Sequence, residues 1–228
     1  MSLSDEPRIE VLPDGPYRVE GVPIGRVRPI RDDYERPVGW EQTEEFPPAG
    51  PLVDLCRCGL SKNKPFCDGS EKDAGFDGTE AADRGPTLGR RRWFGDPPFV
   101  LGDDKVLCAS AGFCVRFDTD AWELAQQTDD PAKLAILKEI ATMNCPSGRL
   151  VLHPAPGEPS ELEEPYPPRV DAVDDGPLWV RGGVQLVGSD GFEYERRNRM
   201  TLCRCGQSQR KPFCDGSHGK VGFHDPVE

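Results

Sequence analysis

One sixteen-residue segment occurs twice in this chain of 228 residues, as CRCGLSKNKPFCDGSE at 56–71 and as CRCGQSQRKPFCDGSH at 203–218. Twelve of the sixteen positions are identical, and the last changes from Glu71 to His218. A long repeat in a short chain favours small duplicated units over one large domain. The similarity continues outside the segment. DGPYRVEGVPIGRVRPI and then, after an intervening loop, PLVDL precede the first copy, and DGPLWVRGGVQLVG and EYERRNRMTL precede the second. These runs alternate apolar and polar residues between Gly, Pro and Asp breaks, the pattern of short strands. Matching tails follow, AGF at 74–76 and VGF at 221–223. Each copy is therefore expected to be a strand-rich unit leading into a cysteine cluster. Neither has the apolar content for a core of its own, so the two should pair about a pseudo-two-fold axis within one monomeric chain, rather than sit as independent beads.

The nine cysteines fall into three triplets: Cys56, Cys58, Cys67; Cys108, Cys114, Cys145; and Cys203, Cys205, Cys214. An odd number grouped in threes fits soft-metal or iron–sulfur ligation better than a disulfide framework. On an extended strand Cys203 and Cys205 point the same way. Cys214 and His218, four apart, share a face if CDGSH opens a helical turn, with Asp215 placed to cap it. The resulting Cys3His set could hold zinc, but structural zinc sites usually begin C-x2-4-C, whereas this one begins C-x-C.

The pattern C-x-C-x2-S-x3-P-x-C-D-G-S-H at 203–218 resembles the signature of the CDGSH iron–sulfur proteins, the mitoNEET-like family, and 56–71 matches it except at its last residue. The resemblance implies a [2Fe–2S] cluster in each copy. Cys203 and Cys205 would hold one iron, Cys214 and His218 the other; Cys56, Cys58 and Cys67 match three ligands of the first cluster. It also implies a β-cap of intertwined strands, formed in that family by two chains. At the fourth position of the first copy Glu71 is an oxygen ligand, or the ligand comes from elsewhere, or the cluster is lost; the retained cysteines, Pro65 and the Asp68-Gly69-Ser70 turn argue against loss. An oxygen ligand would give two distinct [2Fe–2S] sites. It would also move acid lability from the imidazole range near about 6.5 toward the carboxylate range near about 4.3.

Between the copies, TDDPAKLAILKEIATM predicts a helix with Asp130 as cap, Pro131 in the first turn, and Leu134, Leu137, Ile140 and Met143 on one face. Cys108 and Cys114 in CASAGFC, with Cys145 before Pro146, read as a bacterial ferredoxin run with Ala111 where the middle cysteine would stand. The segment resembles divergent single-cluster ferredoxins, which implies a [3Fe–4S] cluster, or [4Fe–4S] with another ligand on the fourth iron. Three buried structural cysteines are the plainer alternative.

The expected fold is α+β: a first CDGSH half at 1–84, a ferredoxin-like α+β domain at 85–154, a Pro-rich acidic linker at 155–170 and a second CDGSH half at 171–228. The net charge of −12 disfavours nucleic acid and favours a redox partner with a basic docking surface. No membrane span or secretory leader is evident, so a cytoplasmic protein is expected. His153 and His224 are expected in loops away from any metal, Trp93, Trp122 and Trp179 in small cores, and Arg90, Arg91 and Arg92 as a solvated basic island. The sequence predicts no catalytic residue. Its functional reading is electron transfer or redox sensing, with cluster transfer and a colourless zinc-stapled scaffold as the alternatives.

Overall fold

The computed structural model describes residues 6–47 and 50–225. The first half supplies β1 (Arg8–Val11), β2 (Tyr17–Glu20), β3 (Ile24–Arg31), β4 (Pro37–Glu45) and β5 (Leu52–Leu55). The middle supplies β6 (Arg92–Phe94), β7 (Val100–Asp103) and β8 (Leu150–His153). The last part supplies β9 (Arg169–Val173), β10 (Leu178–Arg181), β11 (Gln185–Val187) and β12 (Arg199–Leu202). Alternation does what it predicts in β2, where Tyr17 and Val19 are buried and the polar residues alternating with them are not, and β1, which the sequence reading did not mark, buries Ile9 and Val11 in the same way.

The halves are not separate beads. One sheet has the order β11-β1-β2-β5 and a second β12-β10-β9-β3-β4, so the last part lends β11 to the first half's sheet and the first half lends β3 and β4 to the other. Both crossings are parallel, with Ile9 opposite Leu186 and Ile24 opposite Val170. Ile9, Tyr17, Val19 and Leu55 consequently share one core with Val170, Leu178, Val180, Leu186, Met200 and Leu202. At roughly 1.5–3 kcal/mol for each large apolar side chain buried, neither half keeps this core without the other. One expectation is corrected here. The supposed loop before PLVDL contains the nine-residue strand β4, which pairs with β3 through two register shifts and brings Trp40 against Trp179.

In the middle, β6-β7-β8 packs on short helices α2 (Ala121–Leu124) and α3 (Pro131–Lys138). Asp130 caps α3, accepting from the Ala132 and Lys133 amides. The expected single helix instead changes to a π-helix over Glu139–Asn144. The wider turn adds a residue per hydrogen-bonded loop and rotates the apolar face, so Ile140, Ala141 and Asn144 are buried while Met143 is 56% exposed.

The stretch expected as linker is tied down. The Leu162 amide donates to Leu152, Glu163 is buried against Arg199, and β9 already begins at Arg169. Nor is Arg90–Arg92 a solvated island. Arg90 pairs with Asp83 and buried Asp104, Arg91 is buried and donates to the Gly102 and Arg149 carbonyls, and only Arg92 is exposed. Among the described residues no helix is long and apolar enough to cross a membrane.

Candidate metal centres

In each motif a β-bridge closes the loop that carries the ligands, Leu55 with Phe66 and Leu202 with Phe213. The Cys56 amide donates to Pro65 and the Cys203 amide to Pro212, both at 2.8 Å, which fixes the C-x-C arm against the Pro-x-Cys arm. Ser61 and Ser208 hydroxyls cross the same loop to the Phe66 and Phe213 carbonyls at 2.7 Å. Asp68 and Asp215 then accept from the Ser70 and Ser217 amides at 3.1 and 2.9 Å, starting α1 (Ser70–Ala74) and α4 (Ser217–Val221).

This scaffold delivers the predicted donors in pairs. Cys56 and Cys58 sulfurs are 3.8 Å apart, and Cys203 and Cys205 sulfurs 3.7 Å. Cys214 Sγ lies 3.4 Å from His218 Nδ1, and Cys67 Sγ lies 3.3 Å from Glu71 Oε2. Two thiolates bound tetrahedrally at about 2.3 Å sit about 3.8 Å apart, and a thiolate with an imidazole about 3.5 Å apart. Each pair therefore has the spacing that two ligands of one metal ion would have. Among the described residues, no three His, Cys, Asp or Glu side chains converge on a single ion position.

The electrostatics are those of closely packed, buried thiols. The Cys56 thiol falls to about 6, chiefly because Cys58 donates to it, and Cys58 rises correspondingly. Cys203, lowered to about 6 by Cys205, behaves alike. Each pair thus shares a single proton, since two adjacent buried thiolates repel without a positive centre. Burial pushes Cys67 to about 11 and Cys214 to about 12, and lowers His218. Backbone amides of Leu60, Gly69 and Gly216 point at Cys58, Cys67 and Cys214, each at 3.4 Å, and favour their anionic forms.

The two sites touch. A Cβ on Gly59 would stand 2.8 Å from the Cys205 carbonyl oxygen, and one on Gly206 would strike that of Cys58, so only glycine fits between the motifs. Behind them, buried Arg57 donates to the Leu12 and Gly78 carbonyls and buried Arg204 to Val173 and Gly176. Tyr17 of the first half donates to the Cys203 and Pro212 carbonyls at 2.8 and 2.9 Å. The sequence reading passed over these three residues; the paired Arg57 and Arg204 were visible as an identity of the repeat.

Cys108, Cys114 and Cys145 line one cavity together with Ser110, Phe113, Ser147 and Arg149. Cys108 ends a turn over Lys105–Leu107 capped by Asp104, and Cys145 ends the π-helix. Arg149 also went unread. Its Nη1 donates to Cys108 Sγ at 3.3 Å while Asp103 holds its Nε and Nη2 at 2.7 and 2.9 Å, and Trp122 donates to the same carboxylate. Burial raises the Cys114 thiol, and Arg149 opposes the rise. All nine cysteines are free.

The donor sets match what family comparison finds. Residues 14–71 and 175–219 match the family described as iron-binding zinc finger, CDGSH type, and residues 96–154 match the divergent 4Fe-4S mono-cluster family. The chain carries two CDGSH-type regions with a 4Fe-4S mono-cluster region between them. No curated protein matches it. Its two CDGSH regions flank the mono-cluster region and include every paired donor described above.

The remaining histidines are elsewhere. His224 pairs with Asp175 at the surface. His153 corrects the sequence reading, because it lies buried on β8 and not in a loop. Its Nδ1 faces the Glu158 and Ser160 carbonyls, which can only accept, so Nδ1 carries a proton. Burial first, and then Arg91, holds its pKa below 6.5. The folded state thus resists a proton that the unfolded chain accepts: stability is full above about pH 6.5 and falls as the pH drops below it. His153→Gln should flatten the fall in the chemical-denaturation midpoint between about pH 7 and 5. An unchanged slope would remove His153 as its cause.

Proposed function

We propose that this chain carries electrons, or senses redox state, with a [2Fe–2S] cluster in each CDGSH motif and a [3Fe–4S] cluster in the middle segment. The arrangement of donors carries the reading: two pairs per motif suit two irons, and three cysteines around one cavity suit three. Bound there, the clusters would supply one-electron exchange at potentials set by ligand type, hydrogen bonds to sulfur and exposure. The protein's residues set those terms. Cys56 and Cys58, like Cys203 and Cys205, hold the inner iron. Cys67 with Glu71, and Cys214 with His218, hold the outer one. Cys108, Cys114 and Cys145 hold the middle cluster, with Arg149 beside Cys108.

The reciprocal strands β1 with β11 and β3 with β9 support a pseudo-two-fold β-cap closed within one chain, and hence a monomer. The role is carriage rather than turnover of a substrate. The net charge of −12 suits a partner with a basic docking face, and nine free thiols suit the reducing cytoplasm.

The deciding measurement is metal and acid-labile sulfide on anaerobically purified chain, with EPR before and after dithionite. About seven irons and eight sulfides per chain are expected, with a signal from the middle cluster when oxidised and signals from the motif clusters when reduced. About eight irons would make the middle cluster a [4Fe–4S] one. Zinc without iron or sulfide would overturn the proposal in favour of a stapled scaffold.

A further inference from the structure

The two motifs differ at four positions, and one difference has a structural partner. Arg210 stands where the first motif has Asn63. The Arg210 guanidinium donates to the carbonyls of Val106 and Cys108, reaching the latter at 3.3 Å, and so grips the loop that carries the first ligand of the middle triplet. Asn63 is exposed, and its backbone N–H donates to the Ser61 hydroxyl as that of Arg210 does to Ser208, so the two positions differ in the side chain alone.

The glycines tell the same story. Gly216 is packed so closely on Ser110 that an added Cβ would stand 2.8 Å from the Ser110 Cβ, with the Ala109 carbonyl oxygen at 3.5 Å; an added Cβ on Gly69, its counterpart, would meet nothing within 4 Å. Under this cover Cys214 is 3% exposed, whereas Cys67 is only half-buried and lines an open cleft bounded by Asp14, Arg18 and Phe76; the contrast lies at the third cysteine, since Glu71 is buried and His218 partly exposed.

We infer that Arg210 clamps the middle segment onto the second motif, so that the three metal centres stand in series: the middle triplet beside the second motif, the second motif against the first through Gly59 and Gly206, and the first motif at the far end, open to a cleft at Cys67. The repeat has thereby become directional. Near-identical motifs are told apart by one arginine that attracts the insert and by the want of one at position 63. A redox partner meets the Glu71-bearing site, and the middle centre communicates through the His218-bearing one. That consequence for electron flow rests on the iron–sulfur reading above; the clamp does not.

Two measurements on the full chain as purified separate them. Hydrogen exchange reads the clamp whatever metal is bound. Arg210→Asn, which copies the first motif, should speed exchange about tenfold or more at amides 106–112 and 214–217, the expected loss of two hydrogen bonds from a charged donor. Asn63→Arg should change neither segment. Unchanged exchange in Arg210→Asn overturns the clamp. EPR then reads the order. An impermeant gadolinium chelate should relax the first-motif signal, identified as the one that Glu71→His alters, several-fold more than the second-motif signal. The middle cluster should broaden the second-motif signal and not the first, and Arg210→Asn should weaken that broadening. Equal relaxation of both motif signals, or broadening of the first, overturns the series. Should Arg210→Asn fail to hold the middle cluster, the unaltered chain with the chelate still decides.

Discussion

Replacing Glu163 with alanine is expected to destabilise the folded chain by about 3–5 kcal/mol, measured as a lower denaturant midpoint at unchanged slope. Glu163 is buried with Arg199, whose side chain is 1% exposed, and its two oxygens accept from Arg199 Nε and Nη2 at 2.8 and 2.6 Å. Burial raises the Glu163 pKa, which marks the desolvation that the pair has to overcome. Arg199 also donates to the Ala141, Cys145 and Leu150 carbonyls, so one guanidinium on β12 ties the second half to the end of the π-helix and to the backbone of a middle-segment ligand. Truncating Glu163 leaves that charge buried with neutral acceptors only. Because the loss comes from stranding the charge, the double variant Glu163→Leu with Arg199→Met should fall much less than the sum of the two single changes. A loss below about 1 kcal/mol in Glu163→Ala would mean that water reaches Arg199 and that the pair is a surface contact in effect.

Neither partner was readable as such. Glu163 sits in a Pro-rich acidic run without periodicity, and its burial depends on an arginine thirty-six positions away. What the sequence made legible is what depends on neighbours along the chain. β2, β10 and β12 follow from alternation, the cap of α3 from Asp130, and the donor pairs from spacings of two and four within one loop. Where a strand or helix answers to a distant surface, local pattern falls short. β4 carries four charged or amide side chains in nine residues and is held by β3 and by Trp40 on Trp179. The π-helix bends the helical period so that Cys145 reaches its cavity, and no count by three and four anticipates it. Arg149 and Arg210 look like any surface arginine until the middle segment folds, around the first and against the second.

Glu71→His is expected to make the two motif clusters nearly alike, raising the potential of the first by on the order of 100 mV, since neutral imidazoles in place of anionic ligands raise [2Fe–2S] potentials by a few hundred millivolts per pair. The geometry is prepared for the exchange. Glu71 Oε2 and His218 Nδ1 stand at 3.3 and 3.4 Å from their cysteine sulfurs, on helices that begin at the same left-handed glycine. What differs is the charge of the donor and what lies beyond it: the first site opens on a cleft, while the second is covered by Ser110 and Ala109. The substitution should therefore remove the part of the difference that belongs to the ligand and leave the part that belongs to exposure, so the two potentials approach each other without coinciding. Redox titration followed by EPR reads both sites in one sample. If Glu71→Ala leaves the first-site signal and potential as they were, Glu71 is not a ligand and the fourth donor lies elsewhere. If Glu71→His shifts the signal but not the potential, solvent at the cleft, and not the carboxylate, holds the first cluster low.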